Sequence, residues 1–249
     1  MDRMVVTRHT TLERLAHYTN IVSLMSLLAS GFTMYMGLPY LSYGDAYAIH
    51  IISAAVFIAV NWIVLPYTAF VNMTLPGYLF WPADVKRLWG VIKNFFSGSS
   101  EYPAYTIYDL GKRRFVNRIH PVGKLLIYTH YIALFVATVT GIVLYANPLA
   151  PMGVDVSGIL LKLMDAAAPS FGVSGRALAM ILHVAIAYWF VTEIIIHVGV
   201  IQLDPKKFQH LRSMFVDGKE DLYSDPTADI VDTSESGEEF EQKTAIKIK

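Results

Sequence analysis

The sequence predicts an all-α integral membrane protein, a four-helix transmembrane bundle with both termini cytoplasmic. Three observations carry this. Hydrophobic residues make up 54% of the 249 residues and charged residues only 16%, with a mean hydropathy of +0.43; a soluble domain carries about a quarter charged residues. Four apolar runs approach or exceed the roughly 20 residues that a helix needs to cross a bilayer. Of the 20 Lys and Arg residues, all but Lys162 and Arg176 fall on one side of those runs, and that side is the cytoplasm.

The first run covers about residues 12–36 and stops at Gly37-Leu38-Pro39. The second covers 46–71. The third covers 125–145 and ends at Asn147-Pro148. The fourth covers 177–203 and ends before Asp204-Pro205. Gly and Pro at these ends are ordinary helix punctuation. The first run is too long in its apolar part for a cleavable leader, and three spans follow it. Residues 1–205 therefore read as one four-span domain. A cytoplasmic loop, 72–121, contains a basic and aromatic segment, 83–96 (ADVKRLWGVIKNFF), expected to lie as a helix at the membrane interface. Residues 206–249 read as a cytoplasmic acidic tail, with 217–241 expected to be poorly ordered.

Charge and cysteine content exclude several functions. Net charge is +0, so no basic field argues for nucleic acid. With no cysteine, the chain forms no disulfide and holds no thiolate metal site, covalent c-type haem or iron–sulfur cluster. Histidines are the remaining supply of redox ligands, and five of the eight lie inside the runs: His17, His50, His130, His183 and His197.

Ionisable residues inside a membrane are expensive and mark function by default. His183 and His197 are 14 residues apart on one run. Fourteen helical steps fall about 40° short of four turns, so both rings share a face, roughly 21 Å apart. Each needs a partner at its own depth. His17 lies shallow on the cytoplasmic side, like His197. His50 lies shallow on the outer side, like His183. Depth thus pairs His17 with His197 and His50 with His183. Neutral imidazoles are axial ligands of haem iron, so two haems b stacked across the bilayer would form an electron wire. His130 competes with His17 at the cytoplasmic depth, and spacing alone does not choose between them. Gly31 and Gly141 fall at the depth of the outer pair, where glycine permits close approach of a flat macrocycle; glycine equally serves ordinary helix packing. Glu193 is the carboxylate deep in a span, one turn before His197. It suits proton delivery to an electron carrier, or pairing with Arg14 or Lys124.

With these residues in place, the chain resembles the di-haem cytochrome b subunits of membrane-bound nickel–iron hydrogenases and formate dehydrogenases over about residues 8–221. The landmarks are Glu13-Arg14-Leu15-Ala16-His17, Ala48-Ile49-His50, His120-Pro121-Val122-Gly123-Lys124, Thr140-Gly141-Ile142-Val143-Leu144-Tyr145, the two histidines 14 apart, and a closing Ser213-Met214-Phe215-Val216-Asp217-Gly218. The resemblance implies the same two histidine pairs and makes His130 a non-ligand. It implies an iron–sulfur subunit and a large catalytic subunit on the outer face of a prokaryotic cytoplasmic membrane. It further implies a quinone-type carrier reduced near the cytoplasmic face, with His120, Lys124, His130 and Glu193 as candidate carrier and proton residues. The quinone-binding stretch of the formate dehydrogenase branch is replaced here by His120, Val122 and Gly123, so that site is not carried over; the long middle loop and His120-Pro121 look more like the hydrogenase branch, and thiosulfate-type reductases share the architecture. A haem-free proton channel or transporter is the alternative of another class. The lack of repeat symmetry and of facing broken spans speaks against it.

Overall fold

The computed structural model describes residues 3–97, 104–147, 149–202 and 208–233. It divides into two compact units. One comprises residues 1–125 with 197–249, the other residues 126–196.

The first unit contains the two N-terminal helices. Helix α1, Thr11–Met36, opens with a capping box. Thr10 accepts from the Glu13 amide, and the Glu13 carboxylate accepts from the Thr10 amide. It ends on Gly37 in the left-handed region at φ 64°, where glycine carries no steric penalty. One face of α1 buries small hydroxyl residues, Ser23, Ser30 and Thr33, each donating back to a carbonyl four residues earlier. Helix α2, Tyr43–Ala59, packs along α1 and continues through a π-helical turn, Val60–Val64, into α3, Leu65–Val71. At that turn Asn61 and Asn20 form a reciprocal amide pair at 2.9 and 3.2 Å. Among the described residues three stretches are long and apolar enough to cross a membrane: Tyr43–Val71, Pro121–Leu144 and Gly175–Gly199. Helix α1 matches them in length, with 26 residues, but its buried hydroxyl stripe makes it less apolar.

Helix α4, Pro82–Ser97, covers the predicted interfacial segment. Its exposed stripe is Val85, Trp89, Ile92 and Phe96, the i, i+4, i+7, i+11 spacing of one helix face. On its other side Asp84 is fully buried and binds Lys124 at 2.7 Å and Arg87 at 3.1 Å. Breaking such a buried pair typically costs about 3–5 kcal/mol.

The all-α expectation requires correction. The described residues are mostly helical, yet five short strands form two small sheets. Strand β1, Val5–Thr7, pairs antiparallel with β4, Lys219–Asp221. Strand β2, Thr106–Asp109, lies between antiparallel β3, Arg114–Asn117, and parallel β5, Ala228–Val231. The expected disorder of the acidic tail is also overturned for residues 217–233, which are strand, turn and strand; its remainder, 234–249, lies outside the described residues, as does the predicted end of the fourth run at Leu203.

The physical reason is charge capture. Glu220 is buried and pairs with Arg8 and with His210 at 2.8 Å. Asp225 is buried beside His210 and accepts from Thr227. Burial alone would raise the Asp225 carboxyl, but these hydrogen bonds outweigh it and hold it below the usual range. Nearby, His9 is kept neutral, its pKa pushed down to about 2 by burial and then by the Arg118 and Arg8 charges.

The second unit holds most of helix α5, Pro121–Leu144, then α6, Val156–Ala167, in the segment between spans, and α7, Gly175–Ile196. Asp155 caps α6 through the Gly158 amide at 2.8 Å, and α6 packs on α7. Beyond Ile196 the chain passes into a π-helical segment, His197–Gln202.

Candidate histidine site

His50 lies on α2 with Nδ1 3.1 Å from the Ser30 hydroxyl. The hydroxyl proton is already committed, because Ser30 Oγ donates to the Ser26 carbonyl at 2.6 Å. With its proton so placed, Ser30 Oγ can accept from His50 Nδ1–H, the tautomer that puts the lone pair on Nε2. The adjacent Gly31 faces the same ring: a Cβ there would lie 3.2 Å from His50 Cε1.

His183, on α7, repeats the pattern inside the second unit. Its Nδ1 is 2.9 Å from Thr140 Oγ1, and Thr140 donates its own proton to the Val136 carbonyl at 2.7 Å. Again the hydroxyl can accept from a histidine Nδ1–H, the tautomer that puts the lone pair on Nε2. Again the next residue is glycine: a Cβ on Gly141 would lie 3.5 Å from His183 Cε1. Two histidines on different helices are thus held alike, each by a hydroxyl–glycine dipeptide. Metal-ligating histidines are oriented in this way, through the ring nitrogen that does not bind metal.

His17 lies on α1 and its Nδ1 is buried without a hydrogen-bond partner. Such a nitrogen is rare in proteins unless it serves a ligand. His197 lies close enough to His17 for their charges to interact. The Phe215 ring stands edge-on to His17, with centroids 5.4 Å apart at 74°.

The remaining candidates separate into two kinds. His130 Nδ1 meets Glu193 Oε1 at 3.0 Å, beside the Phe190 ring, and Glu193 Oε2 is buried without a partner. Glu193 thus finds His130, while Arg14 binds the Met214 and Val216 carbonyls and Lys124 binds Asp84 and the Leu79 carbonyl. His120 accepts from the Val122 amide at 3.2 Å and so caps the start of α5, with Tyr105 edge-on at 5.0 Å. Both residues thus lie at the head of α5, with Lys124 fully buried. Ser30 and the Asn20–Asn61 pair were not singled out by the sequence, and Thr140 stood there only as part of a motif. Hydroxyls and amides inside apolar runs are the signal that could have found them.

The donor set suits haem iron: hydroxyls at Nδ1 of His50 and His183, glycines against both rings, and a buried, unpartnered nitrogen on His17. The sequence profile of the family described as prokaryotic cytochrome b561 matches residues 8–216, a span containing His17, His50, His183 and His197. The chain is also 36% identical over 228 residues to the F420 non-reducing hydrogenase II cytochrome subunit of Methanosarcina mazei, covering 88% of this chain and 84% of that protein.

Proposed function

Because the chain belongs to the prokaryotic cytochrome b561 family, we propose that it is the membrane cytochrome b subunit of a hydrogenase complex. It passes electrons from an outer-face iron–sulfur and catalytic partner to a quinone-type carrier near the cytoplasmic face. The observation that carries this reading is the matched pair of histidines whose Nδ1 atoms meet the hydroxyls of Ser30 and Thr140. The name of the Methanosarcina relative supports a hydrogenase partner over a formate dehydrogenase or thiosulfate-type reductase.

In this reading α1 is the fourth span, both termini are cytoplasmic, and the membrane is the prokaryotic inner membrane. His17 and His197 hold one haem b; His50 and His183, matched in depth along the sequence, hold the other. Bound haem supplies reversible one-electron chemistry at an iron with no open position. The protein's own contribution is orientation and proton supply. Ser30 and Thr140 hold two ligand rings in the right tautomer, Gly31 and Gly141 keep Cβ atoms away from them, and His130 with Glu193 carries protons to the reduced carrier. The α4 stripe rests in the cytoplasmic leaflet, with Lys86 and Lys93 toward lipid phosphates.

Membranes containing the assembled complex test the reading. Adding hydrogen should reduce b-type haem, and adding an oxidised quinone or phenazine should reoxidise it. Haem that hydrogen leaves oxidised would contradict the assignment.

A further inference from the structure

We infer that the segment Ser213–Gly218 is a positioning device for the His17 imidazole, an inference that rests on His17 being an iron ligand. Ser213–Asp217 forms a π-helical turn, and three successive carbonyls of that turn are taken by side chains of α1. Arg14 Nε donates to the Met214 carbonyl at 3.0 Å and Arg14 Nη2 to the Val216 carbonyl at 2.6 Å. Tyr18 Oη donates to the Phe215 carbonyl at 2.7 Å. Arg14, His17 and Tyr18 stand at i, i+3 and i+4, so the two grips straddle His17 on one helix face.

The segment is locked at its far end as well. Gly218 has φ 76°, and its carbonyl accepts from the Arg8 and His9 amides at 2.8 and 3.1 Å. A Cβ at this position would lie 2.5 Å from the His9 carbonyl oxygen, so only glycine fits.

These fixings place one side chain. The Phe215 ring meets His17 edge-on at 5.4 Å and Tyr18 at 5.6 Å. His50 and His183 are oriented by hydroxyls, but His17 Nδ1 has no such partner. An aromatic edge held by three backbone hydrogen bonds supplies the missing orientation. Phe215 is therefore a positioning residue that never touches iron by bonding. The same contact links the cytoplasmic strands to the ligand: α1 reads the position of the C-terminal segment through Arg14 and Tyr18.

Electron paramagnetic resonance of the oxidised full-length protein tests this, because the g-values of a low-spin bis-histidine haem report ligand orientation. Phe215→Leu keeps apolar volume and removes the ring edge. It should shift the g-values of the haem that is lost in His17→Ala and weaken its retention by about 10-fold, as outer-shell changes do. The other haem should keep its signal, Phe215→Tyr should restore both properties, and Tyr18→Phe should shift the same signal less. Should Phe215→Leu lose both haems, Tyr18→Phe decides alone, since it removes one hydrogen bond. Unchanged g-values in Tyr18→Phe and Phe215→Leu would overturn the inference. A wild-type chain without haem would instead overturn the electron-transfer reading on which it rests.

Discussion

Replacing Glu193 by glutamine should leave both haem spectra intact and slow carrier reduction by about 10²–10⁴-fold, the usual contribution of a positioned proton donor. Glutamine keeps the volume of Glu193 and can still meet His130 across the 3.0 Å contact. It cannot take up or release the proton. A carboxylate oxygen buried in a membrane span without a partner is an expensive feature, and a pair of titratable groups sharing one contact can hand a proton from one to the other. A structural pair would behave differently: Glu193→Gln would then retain activity, and loss would follow only from substitutions that remove the contact. The measurement is steady-state reduction of a soluble quinone or phenazine analogue across pH, with haem content checked by spectrum. Turnover that matches wild type at every pH would exclude the proton role.

The second large effect concerns the hydroxyls. Thr140→Val preserves shape and removes the acceptor from His183 Nδ1–H, which lies 2.9 Å away. An unsatisfied buried donor costs about 1–3 kcal/mol, and loss of an outer-shell partner typically lowers metal affinity about 10–100-fold. Ser30→Ala should act on His50 in the same way. Both variants should lose haem from the same site and leave the His17 haem in place, as read by haem quantified after purification. Ser and Thr inside membrane helices often bond only to the carbonyl one turn back. If that were their whole role here, both variants would retain two haems.

The apolar helices were legible because they depend on local features. Length, hydropathy and charge bias locate the helices, and helical spacing places His183 and His197 on one face. What escaped the sequence depends on partners far along the chain. The partner of Lys124 is Asp84, 40 residues away, and both are fully buried. His120 caps α5 and lies against Tyr105. The acidic tail reads as poorly ordered because nothing local announces that Arg8 and His210 take Glu220. The strands were missed for a related reason: each is three or four residues long, too short for a two-residue period to register. Thr140-Gly141 shows the opposite case. The dipeptide was noticed as a landmark, and the geometry gives its physical sense, since the hydroxyl meets His183 Nδ1 and the glycine clears the ring.

The most direct measurement is the dithionite-reduced minus oxidised spectrum of the purified chain and of its four single histidine-to-alanine variants, with haem quantified per chain. Two b-type haems are expected in the wild type. His50→Ala and His183→Ala should lose the same one, and His17→Ala and His197→Ala the other. A chain without haem, or one in which His130→Ala removes a haem that His17→Ala spares, would contradict the ligand assignment.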